Sequence, residues 1–285
     1  VSPGPAPGAL PPGPPVPPGP LWTRGPRGDV EYVVTGAGEP VTLFVHGLTG
    51  SVAQTRPFGS GVAGTRVFAH LRGHGLTAVP QDGPGTYTDL ADEVDAVRQA
   101  TGATRALGVS LGAGALLRLL AVEPGRFERV VLALPSALDV AAAPDDSVVR
   151  CLRALADALE AGDVVRAAAL LRDQQPAAVR GLPAVGLWAR RRASELTGTP
   201  LPAVLRSFAG QAPLDAVGRA ALGRVDAPAL VLAQEGDEAH PVRVARELVS
   251  ALPRARLVVL PAGGVLWAGR ERLRDVVSGF LDTPP

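Results

Sequence analysis

From Asp29 onward, short apolar runs of β-forming residues alternate with helical patterns, and this rhythm constrains the fold more than any other feature of the chain. The runs Val30 to Val34, Val41 to Val45, Arg66 to Ala69, Arg105 to Val109 and Val130 to Leu134 predict strands. Tyr87 to Ala100 and Gly112 to Val122 predict helices, the second carrying Leu116, Leu117, Leu119 and Leu120 before Pro124-Gly125 stops it. Such alternation predicts an α/β fold, a mainly parallel, doubly wound sheet with helices on both faces.

The rhythm breaks between 141 and 223, where the pattern is helical throughout. Val148, Leu152, Leu155 and Leu159 are spaced for one buried face, and Gly162 is placed as a C-terminal cap. It resumes with a strand from Ala229 to Ala233, a helix from Val242 to Leu252, a strand from Arg256 to Leu260 and a last helix burying Leu273, Val276, Val277 and Phe280. The expected organisation is an α/β core in residues 21–140 and 224–285, divided by an inserted helical cap in 141–223. Residues 1–20 hold ten prolines and four glycines, which bury almost nothing, and are read as a disordered tail. A PxxP ligand is the lesser reading of that stretch.

Composition removes several function classes. The 285 residues, 46% apolar, suffice for one large domain or a core with an insertion. The 28 basic and 27 acidic side chains leave a formal charge of +1, so no net field draws the chain to nucleic acid or to an anionic membrane. Every basic side chain is arginine, and with no lysine a Schiff base, a P-loop or a Ser-Lys dyad is excluded. The single cysteine, Cys151, falls in an apolar helical pattern and is read as a buried structural thiol. Without a basic, apolar leader at the start or a run of about 18 apolar residues, the expected location is cytoplasmic. No metal-ligand spacing occurs, and Gly36-x-Gly38 joins two predicted strands rather than a strand and a helix, so neither a metal nor a dinucleotide cofactor is expected.

The chemistry-bearing segment is Gly108-Val109-Ser110-Leu111-Gly112, which ends one predicted strand and opens a predicted helix. A serine on so sharp a turn needs small neighbours, and Gly108, Gly112, Ala113 and Gly114 supply them. A glycine-rich turn with an incidental serine is the bland alternative, and two further segments weigh against it. His46-Gly47-Leu48-Thr49-Gly50 follows the strand Val41 to Val45, and Leu71-Arg72-Gly73-His74-Gly75-Leu76-Thr77 follows the next.

Together these three segments resemble the α/β-hydrolase fold family, over roughly residues 29 to 285, with His70 where the family usually has an acidic residue. The resemblance implies Ser110 as nucleophile and the Leu48 and Leu111 N–H groups as an oxyanion hole, supported by His46, Gly47, Gly108 and Gly112. The triad order of serine, acid, histidine places the acid at Asp237 after the cap, with Asp139 ranked second. Helix-dipole stabilisation is the bland alternative for Asp237, and its place in the motif order favours the catalytic reading.

The family's histidine belongs after the strand ending at Leu260, where this chain reads Gly263-Gly264-Val265-Leu266-Trp267, with no histidine after His240. Val265 cannot move a proton, and in a serine protease losing the histidine costs roughly 10⁶ in turnover. His240, three residues beyond Asp237, is the first candidate for a substitute base, although related sequences often carry a His-Pro pair here beside the normal histidine, which favours a structural role. The run Arg190-Arg191-Arg192 is read as a solvated helix face, and Asp145-Asp146 as a helix start.

Two functions stay open, and the resemblance, whose family is mostly hydrolases, puts the first ahead. One is a serine hydrolase acting on a carboxylic ester or thioester, with a small apolar ester-like substrate. The other is a non-catalytic protein that holds a small apolar ligand under the cap, a reading that the apolar loop Val265-Leu266-Trp267 favours.

Overall fold

The computed structural model describes residues 19–139 and 146–283; the expected disordered tail, apart from its last two residues, and the first residues of the expected cap lie outside these. In chain order the elements are β1 Leu21–Gly25, β2 Gly28–Thr35, β3 Val41–Val45, α1 Val52–Thr55, β4 Thr65–Ala69, α2 Tyr87–Thr101, β5 Arg105–Val109, α3 Leu111–Val122 and β6 Arg129–Ala133. Six helices follow: α4 Asp146–Glu160, α5 Val164–Asp173, α6 Ala177–Arg180, α7 Pro183–Leu196, α8 Leu201–Phe208 and α9 Ala216–Ala221. The last elements are β7 Ala229–Gln234, α10 Val242–Ala251, β8 Ala255–Leu260 and α11 Arg270–Leu281.

The strands form one eight-stranded sheet in the order β1-β2-β4-β3-β5-β6-β7-β8. β1 and β2 pair antiparallel, as do β2 and β4, and every pairing from β4 to β8 is parallel. β3, β6 and β7 are buried along their whole length, as their largely apolar composition requires. Alternate residues feed the two faces: Leu43, Val45 and Ala106 join the core under α2 and α3, and Phe44, Leu107 and Val131 join the core under α11.

The sheet differs from the sequence expectation at both its edge and its centre. β1 precedes the predicted first strand; its Trp22 is half exposed, so the strand has little apolar patterning to announce it. β6 ends one residue early because Leu134 leaves the strand with φ +51°.

Strand order places the site. The chain leaves β3 for β4 on one side and returns to β5 on the other, so the crevice between the C-terminal ends of β3 and β5 is the switch point where a doubly wound sheet binds ligands. Arg72, just past β4, braces its approach: 1% exposed, it donates through Nε to Glu93 Oε1 at 2.8 Å and through a terminal nitrogen to the Pro84 carbonyl at 3.0 Å. Burial pushes the Glu93 carboxyl up, against the pull of that guanidinium. Arg72→Met is therefore expected to cost about 3 to 5 kcal/mol in urea unfolding, since it strands a buried acid. Leu76→Ala, at a side chain 64% exposed, should stay within about 0.5 kcal/mol.

Candidate active site

Ser110 sits between β5 and α3 with φ +50° and ψ −107°, a conformation that costs a non-glycine residue about 1 to 3 kcal/mol. The glycines around it are required by contact. A Cβ on Gly108 would lie 2.4 Å from the Gly112 carbonyl oxygen, and one on Gly112 would lie 2.5 Å from the Val45 carbonyl oxygen. The Ser110 N–H donates to the Ala133 carbonyl at 2.9 Å, pinning the turn to β6. Leu111 opens α3, so its N–H lies ahead of the first intrahelical bond, and Leu48, Ser110 and Leu111 all line one cavity.

Three histidines hold the neighbouring loops, and their rings lie 4.4 to 5.6 Å apart about His46. His46 accepts the Leu71 N–H at Nε2, so its Nδ1–H donates to the Gly47 carbonyl at 2.8 Å. His70 accepts the Val52 N–H at Nε2 and donates from Nδ1 to Glu31 at 2.9 Å, which gives this departure from the family pattern a structural role. His74 faces the Leu48 and Arg72 carbonyls, each at 3.0 Å. Burial holds the His46 ring well below the usual imidazole range and pushes His74 down to about 4.

Asp237 and His240 lie in the loop between β7 and α10. The Asp237 carboxylate accepts the N–H groups of Ala239 and His240, each at 3.1 Å, and the His240 ring at Nδ1, 2.9 Å away. His240 Nε2 lies 2.9 Å from Ser110 Oγ. Burial raises the Asp237 carboxyl, but the charge and hydrogen bonds of His240 and the Ala239 N–H outweigh it and hold the acid below its usual range. The structure thus brings Ser110, His240 and Asp237 into one hydrogen-bonded line. Asp139, the second-ranked acid, is bound instead to Arg219 at 2.9 Å.

Val265 falls in a π-helical turn, Gly264–Ala268, where it is buried and its N–H donates to Gln234 Oε1 at 2.6 Å. Trp267, in the same turn, joins it to the helical segment: it donates to Gln175 at 3.1 Å and meets the Trp188 ring edge-on at 5.8 Å. These residues line a cavity of about 660 Å³ that also contains Ser110 and His240.

Two sequence expectations are corrected here. Cys151 is half-buried rather than fully enclosed and lines this cavity, because its helix packs over the crevice. Of the arginine run only Arg190 and Arg191 are solvated; Arg192 is 7% exposed and reaches the carbonyls of Thr49 and Gly50. Gln234 and Arg192 carried no sequence signal for the site, since their partners are backbone atoms distant in the chain. Among the described residues no group of three or more His, Cys, Asp or Glu side chains is placed to hold a metal ion, and no helix is long and apolar enough to cross a membrane.

A histidine in the unfolded chain takes up its proton near 6.5, whereas folded His74 does so only near 4. Between these values the unfolded state binds more protons, so stability present above pH 6.5 is lost as the pH falls toward 4, by roughly 3 kcal/mol from this residue. His74→Gln removes the titration. The melting-temperature gap between wild type and variant, followed from pH 7 to 4, should therefore shift steadily against the wild type; a constant gap would refute the assignment.

The family model of the alpha/beta hydrolase fold matches residues 40–265. No curated protein matches the chain. Among solved structures, the enol-lactonase from Burkholderia xenovorans is 20% identical, with 92% of this chain and 100% of that chain covered at a TM-score of 0.75. An esterase from Exiguobacterium antarcticum is 15% identical, with coverage of 92% and 99% and a TM-score of 0.75. Rv0554 from Mycobacterium tuberculosis is 22% identical, with coverage of 91% and 96% and a TM-score of 0.70. With the family model spanning β3 to β8, the serine turn and the loop of Asp237 and His240, the chain belongs to the alpha/beta hydrolase fold family.

Proposed function

We propose that this chain is a serine hydrolase acting on a carboxylic ester or thioester, with His240 as its general base. The observation that carries the reading is the His240 ring, held 2.9 Å from both Ser110 Oγ and Asp237 Oδ2. An acid on Nδ1 fixes the tautomer that leaves Nε2 free to take the serine proton, and it stabilises the imidazolium that follows.

Ser110 Oγ attacks the carbonyl carbon as its proton passes to His240 Nε2. The oxyanion of the tetrahedral intermediate accepts hydrogen bonds from the Leu48 and Leu111 N–H groups. On collapse the leaving alcohol or thiol takes the proton back from Nε2, and a water activated by the same nitrogen releases the acid from Ser110. Val265, with its N–H committed to Gln234, serves as cavity wall in this scheme. The cavity volume suits a small, largely apolar substrate, since it lies within the range of about 300 to 1,000 Å³ usual for ligand sites. The helices over the crevice act as its cap.

A fluorophosphonate probe tests the reading directly. The adduct is expected on the peptide carrying Ser110 and should vanish in Ser110→Ala. Turnover of an activated ester should fall roughly 10⁶-fold in His240→Ala and roughly 10⁴-fold in Asp237→Asn, which leaves the wrong tautomer. Absence of labelling in the wild type would instead favour a non-catalytic protein that holds a small ligand.

A further inference from the structure

Arg192 is anchored in α7 and directed at the loop that carries Leu48. Its Nε donates to the Thr49 carbonyl at 2.9 Å, and one terminal nitrogen donates to Thr49 at 2.6 Å and to Gly50 at 2.7 Å. The other terminal nitrogen donates to Glu195 at 3.1 Å, so the guanidinium keeps a counter-charge at the rim. A side chain that contributed only surface charge would not be buried against two carbonyls from a loop 142 and 143 residues away.

What Arg192 holds matters for what the loop presents. The Gly47 carbonyl accepts the Gly50 N–H at 2.8 Å, closing a tight turn, and also takes the His46 Nδ1–H. That carbonyl and the Leu48 N–H belong to one planar peptide unit and point in opposite directions. Whatever fixes Gly50 therefore fixes the direction of the Leu48 N–H. His74 meets the Leu48 carbonyl, and Arg192 meets those of Thr49 and Gly50, so three successive carbonyls of the turn are held.

We infer that Arg192 is a positioning residue that aims the Leu48 N–H into the oxyanion site, and so makes activity depend on α7 being seated on the loop. This rests on the reading of Leu48 as an oxyanion donor given above. Arg192 touches no reacting atom, and its effect passes through Gly50 and the Gly47 carbonyl.

Arg192→Met keeps the aliphatic stem and removes every donor. With an activated ester, its kcat is expected to fall about 10- to 100-fold with KM little changed, short of the 10²- to 10³-fold loss when an oxyanion donor is deleted outright, because here the N–H is misaimed rather than removed. Arg192→Lys, which can reach one carbonyl at a time, should recover part of that loss, and the rate of fluorophosphonate labelling at Ser110 should follow kcat across the series. A folded Arg192→Met protein with unchanged kcat and only a lower melting temperature would overturn the inference and leave the hydrolase reading standing. A wild-type protein that neither labels nor turns over any ester would overturn both. Where Arg192→Met does not fold, the same kcat-against-KM comparison in Arg192→Lys decides: an unchanged kcat overturns the inference.

Discussion

The site hangs on a backbone contact, the approach of α3 to β3 and β5 so close that no side chain fits between them. Gly112 lies against the carbonyls of Val45 and His46, and Gly108 lies against Gly112 itself. With those three elements locked together, Ser110 has no relaxed conformation available and stands at the crevice with its φ positive. The Ala133 carbonyl, which holds its N–H, extends the same constraint to β6. The strain is tolerated because parallel strands buried on both faces over-determine the turn.

Against this fixed turn, the most unusual element is the loop after β7. Alpha/beta hydrolases were expected to place the histidine after the last strand, and this chain has a π-helical turn there instead. The turn is not vacant space. Its Val265 N–H is satisfied by Gln234, and its Trp267 packs on the helical segment, so the polypeptide that would carry a base is tied into the wall of the cavity. His240 reaches Ser110 from a different strand end, and Asp237 holds it through both its ring and its main chain.

The strands and the serine turn are legible because their signals are local: short, mainly apolar runs, and small residues at fixed offsets around Ser110. Asp237 and His240 could be named from their position after β7, but spacing alone could not tell a turn-capping histidine from one whose Nε2 faces a serine 130 residues earlier. The burial of Arg192 is hidden in the sequence for a related reason. Three arginines in a row look alike on paper, and only the path of α7 over the Thr49 and Gly50 carbonyls separates the buried one from its exposed neighbours. Cys151 was placed too deep because helical periodicity gives a direction of burial, not what the helix covers. β1 is an edge strand whose Leu21 is only partly buried and whose Trp22 is half exposed, so it carries little apolar signal.

The three-residue separation of Asp237 and His240 has a mechanical meaning. Where acid and histidine sit on separate loops, three segments must keep mutual register for a proton to pass; here acid and imidazole travel as one piece, and only two segments must. Under the proposed mechanism, the last strand's loop is thereby released from proton transfer. Substitutions in it can reshape which molecules the cavity admits while the serine, the imidazole and their spacing stay as they are, so on that mechanism selectivity can drift without a matching loss of reactivity.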